Sequence, residues 1–475
     1  MKPLLFVALL IGAIVALSCE EQQATAPRPA ALSLSQSANA NPCVQDKDHD
    51  KKSAPVQILC AITVPGNPLA SVAKGWFSHE RNAYYIDDQS NKGVDVIDLK
   101  SYTWVGRVTG PGPGFVGVAT YGGGTAATNG QGPNSMALTE GHQMWVSDGN
   151  SQVQVVDLQA LSIIQTISTA IPACDGATAT THYCGRDNEM TYDPDDHMIL
   201  VVNPNPLDLT YCTTPATANN CKTTAAVAFP NTTPKTLAPY ATFLDSHAPY
   251  KVLGVISFPD AKGTPEAPVW DHGTHRFLLS VPTCSGAPPV ATACDPTKGG
   301  TEYIAVIDPR TLSVETKFVM PDCHTLMPGV SPVPTGMMND MSIDEKDQHV
   351  IMPVCGAGEV VFDARTGGVV NVITQIAGSD ETWFNEGDGR FYVAANDPAN
   401  ANTRSLGVID GRSGLWLQNV PDVGGVIPAA SDNPANRVFT TVTASAGTTA
   451  CTPFGVAASG CVIVFEHEGV KPDKK

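Results

Sequence analysis

Five pairs of neighbouring residues carry carboxylate or carboxamide side chains that together could bind a cation. The pairs are Asn134-Ser135, Asn188-Glu189, Glu266-Ala267, Asn339-Asp340 and Asp380-Glu381. Oxygen-rich ligand sets without thiols suit Ca²⁺ or Mg²⁺, and carboxylates crowded together without a cation raise each other's pKa. The candidate ligand or metal site therefore consists of Asn134, Asn188, Glu189, Asn339, Asp340, Asp380 and Glu381.

A hydrolase or lyase would need a general acid or base near such a cation. The candidates are His182, which lies in the segment between Cys174 and Cys184, and His324, which lies beside Cys323. The alternative is that each is simply a solvated loop histidine. The chain has no GxSxG, HExxH, P-loop or dinucleotide-binding fingerprint, so no common catalytic motif supports an enzyme.

The chain contains 13 cysteines, and 12 of them form close sequential couples once Cys19 is set aside. An even number suits an oxidising compartment. No couple has the CxxC spacing of a zinc or redox site, and CxxCH is absent, so c-type haem is not expected. The predicted loop-stapling disulfides are Cys43–Cys60, Cys174–Cys184, Cys212–Cys221, Cys284–Cys294, Cys323–Cys355 and Cys451–Cys461.

The N-terminus has the features of an export signal. Lys2 precedes an apolar run over residues 4–17, which is too short to span a bilayer but has the length of a signal-peptide core. The run ends Ala-Leu-Ser-Cys at Cys19 and resembles a bacterial lipoprotein signal, in which the cysteine is lipidated. We predict a signal peptide over 1–18, lipidation of Cys19 and a flexible linker over 19–54. The alternative is an ordinary cleaved signal.

The elements that would position these residues are marked by a phrase of two apolar residues and one acidic residue. Its seven copies end at Asp98, Asp157, Asp245, Asp308, Asp363, Asp410 and Glu466. A second apolar run follows each of the first six copies after a short turn, as in 102–108 and 161–167. This spacing predicts hairpins of a repeat protein.

An earlier pair of strands precedes each phrase, so each unit has four antiparallel strands, here lettered a to d. Four such strands make one blade of a β-propeller. The last unit lacks a strand d, whereas the run QILCAITV at 57–64 stands before the first unit. We therefore predict an all-β, seven-bladed propeller over 55–468, closed by this N-terminal strand and followed by a disordered tail at 469–475.

The repeat resembles the YVTN-type seven-bladed β-propellers of bacterial surface and periplasmic proteins. The likeness rests on a strand, a Pro-Asp-Gly-like turn, a Tyr-Val-x-Asn-like strand and then Val-Ile-Asp, and it spans roughly residues 56–466. The resemblance implies the fold and a location in the bacterial cell envelope, either periplasmic or surface-exposed. It says little about function.

In such a fold the b-to-c and d-to-a connections share one face, which we call the loop face. The a-to-b and c-to-d turns share the other, which we call the plain face. The loop face carries the long segments 110–133, 172–187, 203–239, 282–300 and 321–336. Long loops on a rigid disc are where function is expected, although tolerated insertions are the alternative.

The polar pairs begin strand a of their units, so they would converge at the loop-face mouth of the central channel. This arrangement is similar to the metal-centred propeller lactonases of the gluconolactonase and regucalcin kind, although those have six blades. The alternative is that polar strand starts are merely solvated. The repeated aspartates, in contrast, are expected to stabilise turns, because Asp side chains accept hydrogen bonds from amides two residues on.

Two function classes follow. The first is a lipid-anchored cell-envelope propeller that binds a protein or small-molecule ligand through its loop face, as a monomer. The second is a metal-dependent lactonase, hydrolase or lyase at the channel mouth. A formal net charge of −18 makes nucleic acid and anionic membrane surfaces poor partners, so membrane contact is expected through the lipid anchor only.

Overall fold

The computed structural model describes residue 43 and residues 55–78, 80–109, 115, 133–149, 151–170, 187–203, 210–212, 221–223, 238–261, 265–283, 302–321, 323–328, 340–421, 425–430 and 436–467. All of them belong to one compact unit, Ala38–Lys475. Seven four-stranded antiparallel sheets dominate these residues, and a two-stranded sheet accompanies them.

Each four-stranded sheet is one blade. Strand β1 (Val56–Thr63) comes first in the chain. Blade 1 contains β2 (Val72–Ser78), β3 (Ala83–Asp88), β4 (Gly93–Asp98) and β5 (Thr103–Val108), and blade 2 contains β6 (Met136–Thr139), β7 (Gln143–Asp148), β8 (Gln152–Asp157) and β9 (Ser162–Ser168). Blade 3 contains β10 (Met190–Asp193) and β11 (Met198–Asn203), and then β14 (Tyr240–Asp245) and β15 (Val252–Ser257). Between them β12 (Thr210–Cys212) pairs with β13 (Cys221–Thr223).

The later blades follow the same order. Blade 4 contains β16 (Glu266–Asp271), β17 (Arg276–Val281), β18 (Tyr303–Asp308) and β19 (Ser313–Val319), and blade 5 contains β20 (Ser342–Asp344), β21 (His349–Val354), β22 (Gly358–Asp363) and β23 (Val369–Ile373). Blade 6 contains β24 (Thr382–Asn385), β25 (Arg390–Asp397), β26 (Thr403–Asp410) and β27 (Trp416–Pro421). Blade 7 contains β28 (Gly425–Ala430), β29 (Val438–Val442) and β30 (Cys461–His467), and its fourth strand is β1. The short helices α1 (Cys323–Leu326) and α2 (Ala444–Ala450) lie outside the sheets.

The ring is closed by the N-terminal strand, as the sequence predicts. Strand β1 pairs antiparallel with β30, from Val56 opposite His467 to Thr63 opposite Cys461. The Gln418 side chain of blade 6 also binds this strand, because it accepts a hydrogen bond from the Val56 amide at 2.8 Å and donates to the Val56 carbonyl at 2.9 Å. The closing strand is therefore bonded on both sides, once by backbone and once by a side-chain amide.

The c-to-d turns of the first six blades share one construction. The phrase aspartate accepts a hydrogen bond from a backbone amide two or three residues on, in the turns of Asp98, Asp157, Asp245, Asp308, Asp363 and Asp410. In each of these blades a β-bulge interrupts the pairing of strands c and d near the end of strand c, just before the turn. These contacts give the aspartates the turn-forming role expected from the sequence.

The apolar core is divided among the contacts between neighbouring blades. The described residues form seven buried clusters, and each cluster joins two adjacent blades. The cluster between blades 7 and 1, for example, packs Phe439 and Val462 against Tyr84 and Ile97. Alternating side chains of each strand thus face opposite neighbours, which is how a ring of sheets buries both faces of every blade.

Three of the six predicted disulfides are formed: Cys43–Cys60, Cys323–Cys355 and Cys451–Cys461. The couples Cys174–Cys184 and Cys284–Cys294 lie outside the described residues. Cys212 and Cys221 stand opposite each other in the β12–β13 register, but their side chains lie outside the described part. No helix among the described residues combines the length and apolar character needed to cross a membrane.

Candidate functional site at the mouth of the central channel

The start of strand a brings one residue from each of blades 1 to 6 to the loop-face mouth of the channel. Strand pairing places these residues at an equivalent position in each blade. The first apolar residue of the phrase lies in line, across strand b, with one residue of strand a, and the mouth residue comes two positions before that strand-a residue. For blades 1 to 6 they are Lys74, Ser135, Glu189, Ala267, Asp340 and Glu381. We call this set the mouth ring.

Lys74 is the hub of the mouth ring. Its Nζ lies 2.9 Å from Glu189 Oε2, 2.8 Å from Asp340 Oδ2 and 2.9 Å from Glu381 Oε2. Lys74 belongs to blade 1, whereas the three carboxylates belong to blades 3, 5 and 6. All four residues are buried, and Lys74 is only 6% exposed. One side chain therefore crosses the channel and joins four of the seven blades by ion pairs.

Burial and attraction act in opposite directions on this lysine. Burial alone would lower the pKa of Lys74, but attraction to Asp340, Glu189 and Glu381 raises that pKa well above its usual range. Burial and repulsion from Asp340 raise the pKa of Glu381 well above its ordinary value, while Lys74 opposes the rise. Burial also raises the pKa of Glu189, against the attraction of Lys74. Lys74 therefore remains an ammonium group, and burial opposes the ionised form of both glutamates while their contact with Lys74 favours it.

A further carboxylate, Asp87 of β3, lies buried next to this cluster. Neither of its side-chain oxygens accepts a hydrogen bond. Burial, followed by repulsion from Glu189, raises the pKa of Asp87 well above its ordinary value, although Lys74 lowers it. A buried carboxylate without a donor is costly in its ionised form, and this cost is the main reason that the pKa of Asp87 is raised.

The amide side chains near the mouth form a separate chain of hydrogen bonds across blades 1 to 3. Ser71 Oγ donates to Gln89 Oε1 at 2.5 Å, and Gln89 Nε2 donates to Asn134 Oδ1 at 3.2 Å. Asn134 Nδ2 donates in turn to Asn188 Oδ1. Two of the three predicted amide ligands, Asn134 and Asn188, thus bond to each other, and the oxygen of each accepts a hydrogen bond within this chain.

The other predicted site residues are placed as follows. Asp380 is exposed, unlike its neighbour Glu381. Asn339 and His182 lie outside the described residues, as does Cys19. His324 falls in α1, but its side chain is likewise outside the described part. The structure therefore brings Glu189, Asp340 and Glu381 together and leaves the proposed catalytic histidines untested.

Sequence reasoning missed Lys74, the residue that organises the site. A signal was present, because aligning the first unit on Val-Ile-Asp puts Lys74 in register with Glu189 and Asp340. It is also the lone charged residue of the strand VAKGWFS. From the sequence alone, a lysine at the start of a strand is expected to be solvated. Only the folded ring shows that Lys74 faces three carboxylates.

With Lys74 in place, the mouth ring does not fit a divalent metal. Nζ occupies the point on which the three carboxylate oxygens converge, at 2.8–2.9 Å, whereas Ca²⁺ requires about 2.3–2.6 Å. Among the described residues, no group of three or more His, Cys, Asp or Glu side chains has a geometry that could hold a metal ion. An internal ammonium group lies where the sequence suggested Ca²⁺ or Mg²⁺.

A second polar cluster resembles a catalytic constellation but lies on the plain face between blades 6 and 7. Asp388 Oδ2 lies 2.6 Å from His467 Nε2 and accepts a hydrogen bond from Tyr392 OH at 2.5 Å. His467 Nδ1 lies 3.2 Å from Arg390 Nη1. The Asp388 carboxylate, the His467 imidazole and the Tyr392 hydroxyl are buried and bonded within the cluster. The cluster therefore stabilises the contact between blades 6 and 7 beside the closing strand.

Comparisons with known proteins identify the fold and leave the family open. No family model matches the chain, and no curated protein matches its sequence. Among solved structures, it is similar to a chain of the mitotic checkpoint complex, with 10% identity and a TM-score of 0.52 over 93% of this chain and 99% of that one. It is also similar to the Cps50 (Swd1) β-propeller domain of Myceliophteria thermophila, with 9% identity and a TM-score of 0.51 over 87% of this chain and 99% of that one. At these identities the likeness establishes a β-propeller and nothing about partners.

Proposed function

We propose that this protein is a lipid-anchored binding propeller of the bacterial cell envelope, which holds a protein or small-molecule ligand through its loop face. The observation that carries the proposal is the closed centre of the disc. Lys74 satisfies the three converging carboxylates from within, so the mouth ring is a structural ion cluster. Contacts with a ligand would then come from the long loops around the mouth.

The contrast between the two faces supports the same proposal. On the plain face the c-to-d turns are short and are closed by their own aspartates, as at Asp98 and Asp363. On the loop face the connections between strands include residues 109–135, 204–239 and 282–302. Propeller domains with low sequence identity to this chain occur in solved complexes, which is consistent with a role in protein binding.

The envelope location rests on the sequence. The apolar run at 4–17 followed by Cys19 favours export and lipidation, and the YVTN-like repeat agrees with a bacterial envelope protein. Cysteines that form disulfides, such as Cys323–Cys355, suit an oxidising compartment. In this proposal the propeller is a monomer, held to the membrane by its anchor alone.

Site-specific photo-crosslinking in a bacterial host that processes lipoproteins tests the binding face. A photoreactive residue at Thr214 or Thr292 samples loop-face segments, and the same residue at the exposed plain-face positions Gln159 or Lys346 is the matched control. We expect a discrete crosslinked species from the loop-face positions alone. Equal crosslinking from both faces, or none from the loop face, contradicts the proposal.

Location is tested by Cys19→Ser in the same host. The proposal expects the wild-type chain in the membrane fraction and the variant in the soluble envelope or medium fraction. A variant that remains with the membrane to the same extent would show that lipidation at Cys19 does not anchor the protein.

A further inference from the structure

We infer that the propeller lies with its plain face against the lipid bilayer, and that a ring of exposed apolar side chains around this face enters the headgroup layer. The inference rests on the proposed lipid anchor and adds to it the surface of the disc that meets the membrane. The anchor holds the chain on the bilayer, whereas the ring decides which face is turned toward it.

The exposed apolar side chains are concentrated at one end of the outer strands. Ten large apolar side chains are exposed among the described residues, and nine of them lie in the first four positions of a strand d or directly before it. The most exposed one in each of blades 1, 2, 3, 5 and 6 is Val105, Ile164, Val252, Val370 and Leu415, respectively, and these five are between 42% and 56% exposed. We call these five side chains the apolar rim. The other four lie beside them on β15, β23 and β27.

The apolar rim lies at the plain face. Because the c-to-d turns belong to that face, each strand d starts there and runs toward the loop face, and it is the outermost strand of its blade. Single exposed apolar residues are ordinary on soluble proteins, so their number alone is no sign of a contact. Their uneven placement is the sign, because at the loop-face ends of the outer strands the described residues offer just one, Val319 at the end of β19.

The chain joins the disc on the same face. Strand β1 begins there, with Val56 opposite His467 at the end of β30. The Cys43–Cys60 disulfide holds Cys43 to β1, and the Cys43 carbonyl accepts a hydrogen bond from Arg437. Arg437 directly precedes strand b of blade 7, so it lies at the plain-face end of that strand. A tether that leaves Cys43 therefore starts beside the plain face.

The tether brings this face near the bilayer but does not fix its orientation. The proposed lipid site, Cys19, stands about 24 residues before Cys43, and an extended backbone of that length spans up to about 80 Å. Such a reach lets the disc turn over. The apolar rim supplies the preference, because moving apolar side chains from water into the bilayer interface is favourable.

The charges of the plain face indicate the kind of lipid. The c-to-d turns next to the apolar rim carry exposed cations, such as Lys100, Arg365 and Arg412, and the a-to-b turns nearer the channel carry exposed carboxylates, such as Glu140 and Glu386. Cations pair with lipid phosphates and carboxylates with lipid ammonium groups, so this face fits zwitterionic phosphatidylethanolamine. A formal net charge of −18 repels an anionic bilayer, and it also repels a second copy of the chain.

This orientation turns the loop face away from the bilayer. A ligand of the loop face is then reached from the aqueous side of the membrane. The orientation therefore favours a water-soluble partner over one that is embedded in the same bilayer.

The test uses the mature, lipidated chain on phosphatidylethanolamine–phosphatidylcholine vesicles that carry a fluorescence quencher at the headgroup level. A fluorescent residue replaces Val370 of the apolar rim or, as the matched control, Val319, an exposed valine at the other end of an outer strand. We expect quenching to be several times stronger at Val370 than at Val319. Equal quenching at the two positions, or none at Val370, in chains that float with the vesicles would overturn the inference and leave the anchor in place.

Charges placed in the apolar rim give a second measurement. Val105→Glu combined with Leu415→Glu changes two exposed positions, so the fold should persist, which circular dichroism checks. Quenching at Val370 should fall in this variant and stay at the wild-type level in Val319→Glu. Undiminished quenching in the rim variant would overturn the inference.

Two further outcomes are distinguishable from these. Chains that do not float with the vesicles would overturn the anchor and this inference together. Burial of the Val370 fluorophore that increases with protein concentration in the absence of lipid would assign the apolar rim to a second copy of the chain, and would overturn the membrane contact alone.

Discussion

At the scale of single residues, Lys74 is central because it forms ion pairs with three buried carboxylates. It is the one cation that the described structure places against Glu189, Asp340 and Glu381, and all four side chains are removed from water. Isolated buried charges are costly, but a buried pair that loses one member is costlier than the intact pair. The cluster should therefore be sensitive to removal of its central member.

The first prediction concerns that removal. Lys74→Met keeps much of the apolar stem and deletes the charge, so it should lower the free energy of unfolding by roughly 3–5 kcal/mol. Urea denaturation at neutral pH measures the change. Lys251→Met removes an exposed lysine and should stay within about 0.5 kcal/mol of wild type. A loss for Lys74→Met as small as that of the control would contradict the account.

A second residue-scale prediction concerns pH. Burial raises the pKa of Glu359 from its ordinary value to about 8, opposed by a hydrogen bond from Ser379. Because the folded-state pKa is raised, the folded chain binds the proton more tightly, and stability is lost as pH rises from about 4.5 to about 8. The loss should approach about 1.4 kcal/mol per pH unit in that window.

Glu359→Gln isolates this group, since Gln keeps an acceptor for Ser379 and cannot ionise. The variant should match wild type near pH 5 and melt at a higher temperature than wild type at pH 8. Thermal unfolding at the two pH values measures the difference. Identical melting temperatures at pH 8 would show that Glu359 is not a buried acid that must lose its proton.

At the scale of elements, the repeated turn and the closing strand were accessible from sequence, whereas the cation in the ring was not. Val-Ile-Asp marks strand c because apolar alternation and an Asp-capped turn are local features, and Asp363 indeed accepts from the Thr366 amide at 2.9 Å. The closing strand followed from a blade without its fourth strand. Lys74 pairs with Glu381 across about 300 residues of sequence, and although the repeat puts Lys74 in register with the acids, spacing does not show that its side chain reaches them.

The turn aspartates give an element-scale prediction. Asp363→Ala removes hydrogen bonds to the Arg365 and Thr366 amides and should destabilise the chain by about 1 kcal/mol. Asp363→Asn keeps an acceptor oxygen and should lose less. Urea denaturation of both variants measures the difference. Equal losses would show that the side-chain oxygen does not stabilise this turn.

The closing strand gives another. The disulfide Cys43–Cys60 closes a loop with a sequence separation of 17, and Arg437 Nη1 donates to the Cys43 carbonyl at 2.6 Å. Replacing both cysteines with serine should lower the free energy of unfolding by about 3 kcal/mol. Compared with wild type, the variant should show faster amide hydrogen exchange along β1, whereas exchange along β10 should change less. If β1 exchanged as slowly in the variant as in wild type, the Cys43–Cys60 disulfide would not contribute to the closure of the ring.

At the scale of the whole molecule, two kinds of contact stabilise the ring. Seven apolar clusters of described residues join neighbouring blades around the disc, and the Lys74 cluster joins blades 1, 3, 5 and 6 across its centre. The first kind of contact follows from strand periodicity and could be expected from the repeat. The second depends on which side chain lies in the ring, and only the fold places Lys74 there.

The measurement that tests this account most directly is a double-mutant cycle between Lys74→Met and Glu381→Gln, followed by unfolding in urea. If Lys74 is the internal cation of the mouth ring, the two changes are coupled, and their combined loss differs from the sum of the single losses by roughly 1–3 kcal/mol. Additive losses, within about 0.5 kcal/mol, would contradict the account, because they would mean that Lys74 and Glu381 do not interact across the channel.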